Sequence, residues 1–256
     1  MANVLTERDG SLAFVTLNRP ERRNALSLET LQELIDVFRG IGEDPAVRVA
    51  VLRANGPAFS AGHDIGEMTG RDDAFYRQLF EVCTQLMETI QSIPQPVIAS
   101  VHGMATAAGC QLAASCDLVV AAAEAKFATP GVKIGLFCST PMVALSRAVG
   151  AKKAMEMLLT GDAISAADAL AAGLVSRVVP AAELEATVRA LAGRIASSSP
   201  FVVAIGKRAF YRQLQMPQPL AYDYAQDVMS LNAAAADAQE GMKAFLEKRP
   251  AHWCGR

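Results

Sequence analysis

Residues 89–116 carry no aspartate, glutamate, lysine or arginine. A charge-free stretch of that length belongs out of water, in a bilayer or in a protein core. This one holds Pro94, Pro96, His102, Gly103, Gly109 and several glutamines. Prolines and glycines at those places interrupt any continuous apolar helix, so no membrane span is expected. A buried strand, a turn and the start of a buried helix account for it better. Val97–Val101 reads as the strand and Thr106–Cys116 as the helix.

The segments on either side extend the pattern. Val4–Arg8 and Leu12–Asn18 flank an Asp9-Gly10 dipeptide, the signal of a tight hairpin. Ser27 caps a helix with apolar residues at 28, 31, 35 and 38, and Gly40 and Gly42 are expected to close it. Val47–Arg53 reads as a strand, 72–92 as a helix stopped by Pro94, and 117–123 as a strand. Strands alternating with helices imply parallel βαβ units, with helices on both faces of a sheet. Beyond Thr140 the chain reads as helix almost throughout, with a capping box at Ser165 and Asp168. The expected organisation is an α/β core over residues 1–195 and a helical C-terminal extension over 196–256.

Composition limits the classes of function. With 256 residues, 52% apolar and 20% charged, the chain can bury a substantial core. A net charge of -2 leaves no global electrostatic footprint for nucleic acid. Five cysteines (83, 110, 116, 138 and 254) form no CxxC pair and no ligand-like cluster with the three histidines. No metal site and no disulfide framework are expected, and a reduced, cytoplasmic protein is.

Ligand sites in open α/β sheets lie beyond the carboxyl ends of strands. Two segments qualify: Phe59-Ser60-Ala61-Gly62-His63-Asp64-Ile65 and His102-Gly103-Met104-Ala105-Thr106-Ala107-Ala108-Gly109-Cys110-Gln111. Small residues let backbone approach a ligand, and free N–H groups at a helix start can hold a negative oxygen. Two such loops facing each other would make a backbone oxyanion hole.

Both loops sit in longer motifs, FSAGHDIGEM and HGMATAAGCQLAASCDLVVAAAEAKFATPGVKIGL. With LNRPERRNALS, LLTGDAISAADALAAGLVSRVV and EGMKAFLEKR, these make the chain resemble the crotonase superfamily, the enoyl-CoA hydratase/isomerase group, over nearly its whole length. The run FATPGVKIGLFCSTP is most similar to the enoyl-CoA hydratase domain-containing type-3 branch. The resemblance implies a spiral of ββα units, a C-terminal helical trimerisation region and assembly as a homotrimer or a dimer of trimers. It implies an acyl-CoA thioester ligand, with coenzyme A part of the substrate and no covalent cofactor. The implied oxyanion donors are the backbone N–H groups of His63 and Ala108. Ala61, His63, Asp64 and Ile65 map onto the adenine pocket. Arg19, Arg22 or Arg23 would meet the CoA phosphates. Phe245 and Lys248 match positions near the CoA nucleotide, in the same or a neighbouring subunit.

The resemblance fails at two positions. Hydratases of this family use two glutamates around the attacking water. Gln111 and Gly131 stand there in this chain. A glutamine takes no proton at accessible pH, and a glycine has no side chain. General acid–base groups contribute about 10²–10⁴-fold each, so hydration is expected to be weak or absent. Cys138, Ser139 and Thr140 occupy a wall where some members place an acidic residue, which brings Ser139 into the candidate site. Three readings remain: a nominal hydratase with altered chemistry, a decarboxylase of malonyl-type acyl-CoA, and a non-catalytic acyl-CoA-binding or assembly protein.

Overall fold

The computed structural model describes residues 2–256. Strands β1 (Val4–Asp9) and β2 (Leu12–Leu17) form the antiparallel hairpin signalled by Asp9-Gly10. Gly10 supplies the positive φ of +57° that the turn needs. Helix α1 (Leu28–Glu43) begins at Ser27, whose side chain accepts from the Thr30 N–H. Gly40 and Gly42 do not close this helix; it runs through both. At Gly42 a Cβ would lie 2.9 Å from an Ile93 methyl carbon, so the glycine serves close packing rather than termination.

Three strand–strand–helix passes follow. In each, the first strand joins a large sheet and the second joins a small one. β3 (Val49–Ala54) leads to β4 (Ala58–Ser60), then α2 (Ile65–Met68) and α3 (Asp73–Ser92). β5 (Val97–Val101) leads to β6 (Met104–Thr106) and α4 (Ala108–Ser115). β7 (Leu118–Ala122) leads to β8 (Lys126–Ala128), a 3₁₀ turn over Pro130–Ile134, α5 (Pro141–Ala148) and α6 (Ala151–Thr160). Then come β9 (Ile164–Ser165), α7 (Ala166–Ala172) with its Ser165/Asp168 capping box, β10 (Arg177–Val179) and α8 (Leu184–Ala196). Helices α9 (Pro200–Gln213), α10 (Gln218–Ala234) and α11 (Ala236–Leu246) finish the chain.

The large sheet has the order β1-β2-β3-β5-β7-β10, parallel except for the β1–β2 pair; the small sheet has the order β4-β6-β8-β9. The small sheet is not visible as strands in the sequence. Its members are two or three residues long, too short for a period-2 signal.

Alternation across the large sheet builds two cores. Ala13, Val15, Ala50, Leu52, Val97 and Ala99 face one way, with Leu31, Leu34, Phe38, Leu79, Leu86 and Ile90 of α1 and α3. Phe14, Val49, Val51, Ile98 and Val120 face the other way, under Leu184, Val188 and Leu191 of α8. At about 25 cal/mol per Å² of apolar surface, these faces supply the main drive to fold. Helix α9 is fastened by Lys207, whose ammonium donates to the carbonyls of Ile90 (2.8 Å) and Gln95 (2.9 Å) and pairs with Asp117 at 2.7 Å. Among the described residues no single helix is long and apolar enough to cross a membrane.

Candidate active site

Strands β4 and β6 are neighbours and parallel, so the chain leaves both at the same edge of the small sheet. The 61–64 segment follows β4, and Ala107-Ala108 follows β6. They touch: a Cβ on Gly62 would lie 2.9 Å from the Thr106 carbonyl oxygen and 3.2 Å from the Ala108 nitrogen. Only a glycine, with its φ of +87°, lets the two loops come this close.

The direction of each amide follows from its pairing. The 61–64 segment is tied to 23–26 like a short parallel bridge. The Ala61 N–H donates to the Arg23 carbonyl (2.9 Å), the Leu26 N–H to the Gly62 carbonyl (2.8 Å), and the Asp64 N–H to the Leu26 carbonyl (3.2 Å). Bridge bonds alternate along a strand, so the His63 N–H between them points away from Leu26. Among the described residues it has no acceptor. The Ala108 N–H is at the first position of α4, where helix geometry leaves it free. Ala107 aims it. That residue has φ 48° and ψ −118°, a conformation an L-side chain rarely adopts, worth about 1–3 kcal/mol of strain. It is held on both sides, its N–H donating to the Ala128 carbonyl (2.9 Å) and its carbonyl accepting from the Gln111 N–H (3.0 Å).

Both segments open on a cavity of about 330 Å³, within the usual range for small-molecule sites. Of the residues singled out by sequence, Ala61, His63, Ile65, Ala108, Gly131 and Ser139 line it. Gln111 does not. It is buried one turn into α4, its amide oxygen 3.9 Å from the Cys83 sulfur. Asp64 caps α2 by accepting from the Gly66 N–H at 3.2 Å, and it pairs with Arg19 at 3.2 Å. Arg19 also donates to the Ala25 carbonyl, so its guanidinium is engaged within the fold; Arg22 and Arg23 are exposed and in no ion pair among the described residues. Phe245 is 83% exposed, Lys248 is exposed as well, and neither lines this cavity.

Several lining residues were not foreseen: Met68, Phe80, Ile134, Leu136, Phe137 and Pro141. Phe80 lies one position beyond Leu79 and is not among the fully buried residues of α3, Leu79, Cys83, Leu86 and Ile90. The 130–138 segment has no helical or strand period, so nothing in its pattern aimed it at β4 and β6.

Among the described residues, no aspartate or glutamate lines the cavity. At position 131 there is no room for one: a Cβ on Gly131 would sit 2.0 Å from the Leu136 carbonyl oxygen and 2.8 Å from the Cys138 sulfur. The Leu136 N–H donates to the Gly131 carbonyl at 2.9 Å, which holds the segment folded over that point. The Cys138 thiol is pushed up by burial, and that of Cys83 to about 12, so neither is a thiolate near neutrality. Lys133 spends its ammonium on Asp162 at 2.6 Å.

The His63 imidazole is the unusual polar group. Its ring meets Phe80 edge-to-face with centroids 5.6 Å apart, and both ring nitrogens are buried with no partner at hydrogen-bond distance and angle among the described residues. The Leu26 backbone beside the ring favours the protonated form, but less strongly than burial disfavours it. Burial pushes the imidazole down from 6.5 to about 4, so it is neutral at pH 7. The unfolded chain therefore binds a proton between pH 6.5 and 4 that the fold excludes. This contribution to stability is complete above pH 6.5 and is lost as pH falls toward 4, by about 3 kcal/mol. Urea unfolding at pH 7 and pH 5 measures it, and His63→Phe is expected to flatten the slope. The depressed carboxylates of Asp237 and Glu240 add their losses only below their ordinary values of 3.8 and 4.5.

Residues 7–256 match the family model described as enoyl-CoA hydratase/isomerase. The chain is 47% identical over 250 residues to the enoyl-CoA hydratase domain-containing protein 3, mitochondrial, of Xenopus laevis, covering 96% of this chain and 84% of the relative. It is 36% identical to the crotonyl-CoA hydratase of Syntrophomonas wolfei, covering 99% and 98% of the two chains. A crystal structure of an enoyl-CoA hydratase from Mycobacterium smegmatis superposes with a TM-score of 0.97 at 48% identity, covering 99% of each chain. The human enoyl Coenzyme A hydratase domain-containing protein 3 superposes with a TM-score of 0.96 at 45% identity, over 98% of this chain and 100% of that one. The vertebrate relatives are named as mitochondrial, which overturns the expected cytoplasmic location. Unpaired cysteines signal a reducing compartment and do not say which one. With the family model spanning nearly all of it and full-length relatives near half identity, the chain belongs to the enoyl-CoA hydratase/isomerase family of the crotonase superfamily.

Proposed function

We propose that this protein binds an acyl-CoA thioester and stabilises negative charge on its carbonyl oxygen, without the paired carboxylates that hydration uses. One observation carries the reading: two unengaged backbone N–H groups, of residues 63 and 108, flank a cavity that no aspartate or glutamate lines. Each such donor is worth about 2.7–4 kcal/mol to a developing enolate. Around them we assign Arg22, Ala61, Asp64 and Ile65 to the coenzyme A moiety, and Phe245 and Lys248 to the nucleotide end of a site completed by a neighbouring subunit. A homotrimer or dimer of trimers is consistent with the exposed apolar residues of α10 and α11, Met229 (67%), Leu231 (69%) and Leu246 (79%).

An oxyanion hole without a base suits a substrate that makes its own enolate. Decarboxylation of a malonyl-type acyl-CoA is such a reaction, because loss of CO₂ leaves the carbanion. The test is a titration of the purified protein with coenzyme A and crotonyl-CoA, followed by hydration of crotonyl-CoA and decarboxylation of malonyl- and methylmalonyl-CoA. We expect thioester binding, and hydration about 10⁴-fold or more below that of a two-glutamate hydratase. Hydration at the rate of such an enzyme overturns the argument from Gln111 and Gly131. Absence of thioester binding overturns the reading altogether.

A further inference from the structure

The opposite ends of β3 and β5 border a different cavity. The two strands are parallel, so the chain enters both at the edge away from the β4 and β6 loops. Arg48 and Gln95 stand just before them, at that entry edge. There a cavity of about 480 Å³ forms between the end of α1, the start of α9 and residues 253–255, within the usual size of a small-molecule site. Val47, Ile195, Phe201, Ala204 and Trp253 give it an apolar wall. That wall is held in place. The Trp253 indole N–H donates to the Ser197 carbonyl (2.8 Å), and the buried Asp237 carboxylate accepts from the N–H groups of Cys254 (2.7 Å) and Gly255 (3.0 Å).

One charge in this cavity is unanswered. Arg48 lines it and is half-buried, and its guanidinium makes no hydrogen bond and no ion pair among the described residues. A guanidinium keeps its charge at every accessible pH, so burial cannot neutralise it. Its Nη1 is enclosed by protein; Nε and Nη2 are not, and a ligand oxygen can meet them. The Gln95 amide oxygen on the same wall is without a partner too, so it does not answer Arg48. Glu43 also lines the cavity, but it is exposed and in no ion pair among the described residues. The cavity therefore holds a cation and supplies it with no counter-ion.

A cation set in an apolar cavity selects an anion with an apolar body. The guanidinium fork matches a carboxylate through two parallel bonds. The rings of Phe201 and Trp253 offer faces and edges to an aromatic body. We propose that this cavity is a second small-molecule site, which takes an aryl-substituted monocarboxylate with its carboxylate on Arg48 and its ring against Phe201 and Trp253. The proposal is independent of the thioester reading, since none of these residues lines the cavity at the β4 and β6 loops.

Trp253 is the only tryptophan in the chain, so its emission reports on this cavity alone. Titrations of the protein with phenylacetate, with neutral phenylacetamide and with inorganic phosphate, followed by that emission and by calorimetry, test the proposal. Phenylacetate should bind saturably with a Kd of about 1 mM or below. Phenylacetamide has the body without the charge, and phosphate the charge without the body. Each should bind at least about tenfold more weakly. Arg48→Met should lose the preference for the acid over the amide, and Arg48→Lys should keep part of it. Crotonyl-CoA should not displace phenylacetate. No emission change and no heat with phenylacetate, or equal binding of acid and amide, overturns the proposal without any variant having to fold. Phosphate binding as tight as that of phenylacetate, a preference that survives Arg48→Met, or displacement by crotonyl-CoA overturns it as well. The thioester reading stands or falls separately, on the titration with crotonyl-CoA alone.

Discussion

Gly62→Ala is expected to abolish thioester binding and to lower stability by about 2–4 kcal/mol. Two costs add. The residue has φ +87°, where a Cβ is strained whatever the space around it. The Cβ would also press at 2.9 Å on both the Thr106 carbonyl and the Ala107 side chain, and at 3.2 Å on the Ala108 nitrogen. Those atoms are the β6–α4 turn itself, so relief has to come from moving the loop that carries one of the two donor amides. Gly70→Ala separates the costs: Gly70 has φ +73° and nothing within 4 Å of a Cβ, so only the conformational penalty of about 1 kcal/mol remains. Urea unfolding of the two variants, with calorimetry against crotonyl-CoA, reads both effects. Unimpaired binding by Gly62→Ala would show that the two amides do not act together on the ligand.

Gln111→Glu combined with Gly131→Glu is expected to gain no hydration and to unfold at a markedly lower temperature than the wild type. The double substitution supplies two carboxyls but no geometry that would hold them at the cavity. A Cβ at position 131 meets the Leu136 carbonyl oxygen at 2.0 Å, an overlap that bending one side chain cannot relieve because the obstacle is backbone. The 130–138 segment has to open, breaking the Leu136-to-Gly131 hydrogen bond and disturbing the cavity wall around Cys138. Gly131→Ala alone should therefore already destabilise by about 3 kcal/mol or more. Thermal unfolding of the single and double variants, with a crotonyl-CoA hydration assay, decides the matter. A double variant that melts like the wild type, or that hydrates a hundredfold faster than it, would mean that the segment yields easily and that the missing carboxylates are the whole deficit. At position 131 the neighbouring chain occupies the space where a side chain would begin.

Much of the architecture was legible before any coordinates. The Asp9-Gly10 hairpin, the Ser27 cap, Val97–Val101 as a strand, the Ser165/Asp168 capping box and helices on both faces of a sheet all appear in the structure. These features are local, or repeat at a period the side chains obey. Three things escaped. The small sheet escaped because strands of two or three residues have no period to read. The path of α1 past Gly40 and Gly42 escaped because Ile93, distant in sequence, is what demands a small residue there. The apolar part of the cavity wall, Ile134, Leu136, Phe137 and Pro141, escaped because irregular chain shows its direction only through its contacts.

The sequence by itself determined that two small-residue segments leave strand ends, one of them at a helix start, and which residue types stand at 111 and 131; the choice of the amides of 63 and 108 within those segments came from the family resemblance. Tertiary structure alone decided that Gln111 is buried away from the cavity, that no side chain fits at Gly131, and that the His63 ring is enclosed with its nitrogens unpaired. The reason is physical. Strand ends and helix starts follow from bonds between near neighbours in sequence, whereas clashes, burial and desolvation depend on which distant segments the folded chain brings within a few ångströms.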